Sequence, residues 1–107
     1  MAVKKIYLFC GLGMSTSSMV RRMQKAAEEQ GKEYEIQAFA LSEEEEHVPQ
    51  ADAILIGPQV RFELENLRER YPGKKIIDIP MKTYGLMDGP GTLALAEQIM
   101  SEDENNS

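Results

Sequence analysis

Apolar and polar positions alternate along the chain in blocks that predict strands separated by helical segments. Short apolar runs predict four strands, at residues 4–9, 34–40, 52–57 and 76–79. Apolar residues at helical spacing predict helices over about 15–30, 58–71 and 92–100. Since helical connections separate the strands, the pattern indicates a parallel sheet with right-handed crossovers. We therefore expect an α/β fold, a three-layer α/β/α sandwich around a four-stranded parallel sheet of order 2-1-3-4.

Local signals mark the ends of several of these elements. Gly31 is placed to end the first helix, and Pro58 suits the opening of the second. Ser42 and Glu45 form a capping-box pattern, which predicts a short exposed helical turn at 42–47. No linker-like segment interrupts the alternation of elements.

Length and composition bound the class of protein. The 107 residues predict a single domain, 1–107, with an ordered core over about 3–100 and a frayed polar tail at 101–107. One cysteine excludes an internal disulfide and a cysteine-rich zinc site. A net charge of −6 without a basic stripe argues against nucleic acid. No secretory or membrane-spanning segment is evident, which fits a reduced cytoplasmic setting. Nothing demands more than a monomer.

The single cysteine, Cys10, follows the first apolar run and opens a segment, 10–17, rich in glycine and hydroxyl groups. Unpaired backbone N–H groups and the positive end of the next helix meet there, which favours a thiolate and also a bound phosphate. A lone cysteine is usually a small buried hydrophobic residue. The strand-end position and the turns that Gly11 and Gly13 permit favour a nucleophile in a phosphate cradle.

The predicted strand order places the site. Ligands of such sheets bind beyond the carboxyl ends of the strands, where the order reverses, here between strands one and three. Cys10 should therefore neighbour the turn 57–59, which includes Gln59. The segment 81–91, predicted as a loop with Tyr84 and Asp88, leaves the same edge as a wall or docking rim. This interpretation requires a reachable sulfur beside a hollow large enough for an anion.

A cysteine between a strand and a helix is also the core of cysteine-dependent tyrosine phosphatases. Those enzymes carry an arginine six residues after the cysteine, where this chain has Thr16. Losing one such donor costs on the order of 3 kcal/mol, about a hundredfold in rate, so a phosphocysteine should persist and be handed on. A phosphoryl carrier is favoured. A low-molecular-weight phosphatase-like hydrolase and a non-catalytic flavodoxin-like module that binds a phosphate-bearing ligand remain alternatives.

Three segments, Cys10–Ser17, Gly57–Gln59 and Tyr84–Gly89, resemble one known family. It is the enzyme IIB component of the lactose/cellobiose/chitobiose class of the bacterial phosphoenolpyruvate-dependent sugar phosphotransferase system. The similarity covers about residues 3–100 in the same segment order. The fold is then expected to be flavodoxin-like, or like the low-molecular-weight phosphatases.

The resemblance implies that Cys10 accepts a phosphoryl group from a phosphohistidine of a IIA protein or domain. Cys10 then passes it to a β-linked disaccharide or related sugar bound by the membrane transporter IIC, at the inner face of the membrane. The phosphate-binding residues implied are Gly11, Leu12, Gly13, Met14, Ser15, Thr16 and Ser17. Leu12 departs from the small residue usual in the family, and its side chain must point outward to leave the loop uncrowded. No cofactor is expected, since neither a nucleotide-binding lysine nor a Mg²⁺ ligand set is recognisable.

The remaining chemical side chains have simpler interpretations. His47 follows four glutamates and is interpreted as a surface histidine, with the glutamates a solvated face. No spacing indicates a metal site. Arg21 and Arg22 offset the acidic surface, and Arg21 can also add positive potential near the phosphate. Asp88, just before Gly89-Pro90, is interpreted as part of a turn.

Overall fold

Four parallel strands form one sheet in the order β2-β1-β3-β4, which confirms the predicted topology. The computed structural model describes residues 3–10 and 14–105, with side chains for 3–10 and 17–101. The strands are β1 (Lys4–Cys10), β2 (Tyr34–Ala40), β3 (Ala53–Ile56) and β4 (Ile76–Asp78). The α-helices are α1 (Met14–Glu29), α2 (Glu44–His47), α3 (Leu64–Arg70), α4 (Met81–Gly85) and α5 (Gly89–Asn105). Short 3₁₀ helices are described at Leu41–Glu43, Val48–Gln50 and Pro58–Glu63.

Strand β1 lies in the interior of the sheet, and its side chains alternate between two cores. Phe9 is in register with Phe39 of β2 and Ile56 of β3. On the face covered by α1 and α5, the fully buried residues include Ile6, Leu8, Met19, Met23, Leu55, Ile79 and Leu93. On the opposite face they include Phe9, Val48, Ile54, Ile56 and Leu67. Burial of one such side chain is worth about 1.5–3 kcal/mol, so both layers hold the sheet.

Helix α1 confirms the helix predicted over about 15–30 and its predicted end at Gly31. Met19 and Met23 are fully buried. Gly31 has a φ of 71°, and its N–H donates to the Glu28 carbonyl at 3.0 Å. This left-handed residue closes the helix as glycine commonly does, because it carries no β-carbon to oppose that conformation.

The second predicted helix is wrong in its first half. Residues Pro58–Glu63 are 3₁₀, and the α-helix begins only at Leu64. The break falls at Val60, whose φ of −119° is not helical. Val60 is one of the apolar positions at helical spacing that predicted this helix, and it is in the core with 9% exposure.

The predicted capping box of Ser42 and Glu45 is also wrong. The helical run begins earlier, at Leu41, directly after β2. The carboxylate that reaches back belongs to Glu43, whose Oε1 accepts the Ala40 N–H at 3.4 Å. The capping position is therefore the last residue of the strand.

The segment 81–91 is not a plain loop. It contains α4, and α5 begins at Gly89 rather than near residue 92. Helix α5 also continues to Asn105, into the segment where we expected a frayed tail. Within the described residues, no helix combines the length and the apolar character needed to cross a membrane.

Candidate functional site

Cys10 is the last residue of β1 and lies opposite Ala40 of β2. On its other side, Cys10 lies next to the residues that follow β3. The Gly57 N–H, just after β3, donates to the Phe9 carbonyl at 3.0 Å. This bond continues the pairing of β1 and β3 beyond β3 itself. It confirms that the cysteine and the turn 57–59 are neighbours at the carboxyl edge of the sheet.

Gly57 leaves room for the thiol. A β-carbon at this position would lie 3.4 Å from Cys10 Sγ and 2.8 Å from Gln59 Oε1. The second distance is too short for a real contact, so any larger residue must displace the Gln59 amide. Sequence reasoning placed the glycine at the site without finding this steric role, which only the contact between β1 and β3 reveals.

Gln59 brings a polar group to the sulfur. Its side chain is exposed, and its Oε1 accepts the Cys10 thiol proton at a separation of 3.9 Å. The amide carries two N–H donors on its other end, and rotation exchanges the two ends. Gln59 can thus meet a thiol as an acceptor or an anion as a donor.

The N-terminus of α1 follows Cys10 within a few residues. Helix α1 begins at Met14 and is 16 residues long, so its positive end lies close to the cysteine in sequence. Of the predicted cradle, Gly11, Leu12 and Gly13 lie outside the described residues, as do the side chains of Met14, Ser15 and Thr16. Ser17 is exposed on the first turn of α1.

The thiol itself is less open than we expected. Only 4% of Cys10 is exposed. Residues 11–13, which open the predicted phosphate cradle, lie outside the described residues. A phosphoryl donor therefore has to approach a cysteine that has very little solvent-exposed surface.

Of the three predicted rim residues, Tyr84 is buried, whereas Gln59 and Asp88 are exposed. Gln59 is exposed beside the thiol, but Tyr84 is 5% exposed and belongs to the core between the sheet, α1 and α5. Asp88 caps α5, since its Oδ1 accepts the Gly91 N–H at 2.8 Å. The interpretation of Asp88 as turn chemistry is confirmed, and its placement before Gly89-Pro90 is a helix-start signal that the sequence already contained.

His47 is more than a solvated surface residue. Its ring stacks on Phe39 with centroids 3.5 Å apart, and its Nε2 lies 3.7 Å from a carboxylate oxygen of Glu43 and 3.9 Å from one of Glu46. Contrary to the expectation from spacing, these three side chains converge, with ligand-type atoms all within 4.8 Å. The contact with Phe39 of β2 is long-range and invisible in the local pattern of glutamates.

Arg22 lies on α1 where that helix meets the start of α5. A β-carbon on Gly89 would lie 2.7 Å from the Arg22 carbonyl oxygen, so α1 and the start of α5 approach there closely. Arg22, Lys25 and Leu86 line a groove of about 430 Å³ at this contact. The interpretation of Arg22 as surface charge is consistent with its exposure.

Comparison with known families is decisive about the class. The family model described as PTS system, Lactose/Cellobiose specific IIB subunit matches residues 5–95. The chain belongs to this IIB family. It is therefore a sugar phosphotransferase system component, which acts in phosphoryl transfer.

Several relatives of this chain are named as EIIB components. The galactose-specific EIIB component of Lactococcus lactis subsp. cremoris is 41% identical over 94% of this chain and all of its own length. The cellobiose-specific EIIB component of Lactococcus lactis subsp. lactis is 40% identical over the same shares. The oligo-beta-mannoside-specific EIIB component of Bacillus subtilis is 39% identical, over 92% of this chain and 97% of its own.

Solved structures of other IIB components have the same fold as this IIB subunit. The cellobiose-specific IIB component from Borrelia burgdorferi superposes with a TM-score of 0.80 at 35% identity, covering 94% of each chain. The lactose-specific IIB domain from Streptococcus pneumoniae gives 0.79 at 16% identity, covering 91% of this chain and 97% of its own. The second match supports the fold alone. The expected flavodoxin-like fold is thereby confirmed.

Proposed function

We propose that Cys10 carries a phosphoryl group from a phosphohistidine of a IIA protein to a sugar held by a IIC transporter. Membership of the IIB family supports the reaction class. The observation that carries the assignment to this residue is its position. Cys10 ends an interior strand, a few residues before α1, with the Gln59 amide 3.9 Å from its sulfur.

Two displacements at phosphorus complete the cycle. The Cys10 thiolate attacks in line with the phosphohistidine nitrogen, so that the S–P bond forms as the N–P bond breaks and the imidazole keeps the electron pair. A sugar hydroxyl then attacks the same phosphorus, the S–P bond breaks, and the thiolate is restored. The hydroxyl proton leaves to a base of the acceptor complex.

Donors around Cys10 stabilise the charge of the transferring group. The N-terminus of α1 favours an anion through its unpaired N–H groups and its dipole. In this proposal the phosphate-binding residues are Gly11, Leu12, Gly13, Met14, Ser15, Thr16 and Ser17. Rotation of the Gln59 amide brings N–H donors toward the same oxygens once the thiol proton is gone.

The sugar and the cellular setting belong to the same proposal. The three relatives are named for galactose, cellobiose and oligo-beta-mannoside at similar identities, which supports a choice of sugar made by IIC rather than by IIB. We place this chain as a monomeric carrier on the cytoplasmic side, docked to IIC at the inner face of the membrane. Its acceptor is then a β-linked disaccharide or a related sugar.

One reconstitution tests the role of Cys10. The purified protein is incubated with phosphoenolpyruvate, the general phosphotransfer proteins and its IIA protein, and the phosphorylated peptide is mapped by mass spectrometry. We expect the label on Cys10, with none on the Cys10→Ser variant. Label on another residue contradicts the proposal.

Two further readouts separate the alternatives. Sustained hydrolysis of an aryl phosphate by the isolated protein would favour a phosphatase. Undiminished affinity of Cys10→Ser for a phosphate-bearing ligand, together with no transfer by the wild type, would favour a passive binding module.

A further inference from the structure

Two large apolar side chains are exposed at the same edge of the sheet as Cys10. Phe62, in the 3₁₀ helix after β3, is 71% exposed. Met81, the first residue of α4 after β4, is 68% exposed. Single exposed apolar residues are common. These two follow the carboxyl ends of adjacent paired strands, where a protein that reaches Cys10 must also lie.

Phe62 is tied to the thiol through a short stretch of chain. Phe62 lies three residues after Gln59, whose amide contacts Cys10 Sγ. The α-carbons of Gln59 and Phe62 are therefore at most about 10 Å apart. Val60, at the break, is buried, whereas Phe62 is exposed. Phe62 is also off the apolar face that predicted the second helix, so packing of the core does not explain a phenylalanine there.

Cations accompany both apolar residues. Arg61 precedes Phe62 and Lys82 follows Met81, and both cations are exposed. In the part of the chain that the structure describes, neither takes part in an ion pair. Glu63, the acid closest to Arg61 in sequence, lies 3.5 Å from Arg70 instead. Arg61 and Lys82 are therefore exposed cations beside Phe62 and Met81, on an edge that also carries the carboxylates of Glu43 after β2 and of Asp78 at the end of β4.

We infer that Gln59, Arg61, Phe62, Met81 and Lys82 form the docking surface for an acidic, partly apolar face of the IIA phosphoryl donor. This inference rests on the function proposed above for Cys10. Phe62 supplies the apolar anchor, as buried aromatic residues do at many interfaces. Arg61 and Lys82 guide the approach of carboxylates and screen the dianion during transfer.

Charge distinguishes the donor from the membrane partner. Cytoplasmic loops of membrane proteins carry an excess of lysine and arginine, which the exposed cations Arg61 and Lys82 repel. An anionic membrane surface is a poorer occupant, because such surfaces select clusters of four to eight basic residues and the net charge of this chain is negative. An acidic protein face satisfies both the cations and the exposed phenylalanine.

Titration with unphosphorylated IIA measures docking without any transfer. We expect Phe62→Ala to raise the Kd of the isotopically labelled chain for IIA about tenfold. Lys82→Glu should raise it about fivefold at low salt and less at high salt. Matched controls lie at the amino edge, where Val3→Ala removes an apolar side chain that is 43% exposed and Lys4→Glu reverses an exposed charge. Both controls should stay within about twofold of the wild type.

Rates of transfer then separate docking from chemistry. With phosphorylated IIA, Phe62→Ala should raise the KM in parallel with the Kd and leave kcat unchanged. Equal Kd and KM for Phe62→Ala and the wild type overturn the docking surface, even if Cys10 is phosphorylated. The docking surface is also overturned if Phe62→Ala accepts phosphate from IIA at the normal rate but transfers it more slowly to sugar in IIC vesicles. It is overturned as well if Lys82→Glu changes only the binding to anionic lipid vesicles. A weakened Kd in a protein that takes no phosphate supports docking and contradicts the carrier role.

Discussion

Gln59 Oε1 lies 3.9 Å from Cys10 Sγ, although the two residues are 49 positions apart in the chain. They meet because β1 and β3 are neighbours in a sheet of order β2-β1-β3-β4. The contact places the only side-chain amide of the turn 57–59 on the sulfur. It makes Gln59 the described side chain best placed to respond to the charge on the thiol.

Changes at Gln59 should therefore slow transfer according to the charge they introduce. Gln59→Leu keeps the approximate size and removes the N–H donors, and we expect about a tenfold lower rate of Cys10 phosphorylation. Gln59→Glu places a carboxylate beside the incoming dianion and should cost about a hundredfold. Rapid-quench kinetics with phosphorylated IIA measure both. Gln98→Glu, an exposed glutamine of α5, is the matched control. Equal rates for all variants contradict a role for the amide.

The burial of Cys10 predicts slow reaction with bulky thiol reagents. With 4% of the residue exposed, a disulfide reagent cannot align with the sulfur unless the structure opens locally. We expect 5,5′-dithiobis(2-nitrobenzoic acid) to react about a hundredfold more slowly with the native protein than with the protein in denaturant. Equal rates in the two states would mean that the thiol is open in solution.

The sheet and the location of the site could be predicted from the sequence because local patterns determine both. Four apolar runs indicated the strands, and the strand order alone brought Cys10 next to Gln59. The parallel pairing then followed from the helical connections. None of these steps needs a particular side-chain contact.

Features that depend on long-range packing could not be predicted. Tyr84 lies in the core on the short helix α4. Its burial could not be predicted, because a five-residue helix is too short to show a helical period in the sequence. His47 stacks on Phe39 of β2, a contact that a run of glutamates does not suggest. The backbone leaves the helical region at Val60, which interrupts a helix that the apolar spacing predicts as continuous.

Asp88 should matter for stability and little for transfer. Its carboxylate accepts the Gly91 N–H at 2.8 Å and satisfies a backbone donor at the start of α5. Asp88→Ala should lower the free energy of unfolding by about 1 kcal/mol, measured by urea denaturation. Asp88→Asn preserves the cap and is the control. A fall in phosphorylation rate shared by both variants at saturating IIA would instead assign Asp88 to the chemistry.

The interaction of Glu97 with Lys32 and Tyr34 predicts how stability depends on pH. Lys32 Nζ lies 2.5 Å and the Tyr34 hydroxyl 2.7 Å from Glu97 Oε2. Burial acts to raise the pKa of Glu97, but the hydrogen bonds from Lys32 and Tyr34 outweigh it and hold the pKa below its usual value. A carboxyl with a lowered folded-state pKa stabilises the protein above its unfolded-state pKa and loses that contribution as the pH falls through the folded-state value.

Glu97→Gln should therefore be less stable than the wild type near pH 7 by about 1 kcal/mol, and the difference should shrink below about pH 4. Urea denaturation at a series of pH values measures this. Glu69→Gln, on the exposed surface of α3, removes the same charge and should leave stability within about 0.5 kcal/mol at every pH. The dependence of stability on pH above 10 supplies an independent check, because burial and the hydrogen bond to Glu97 raise the pKa of Tyr34 to about 12. The neutral Tyr34 phenol then contributes stability below pH 10 that is lost toward pH 12. Tyr34→Phe should reduce the alkaline loss of stability without removing it, because burial also raises the pKa of Tyr7 to about 12. A Glu97→Gln deficit that stays constant from pH 7 to pH 3 would show that the charge on Glu97 is not what stabilises this contact.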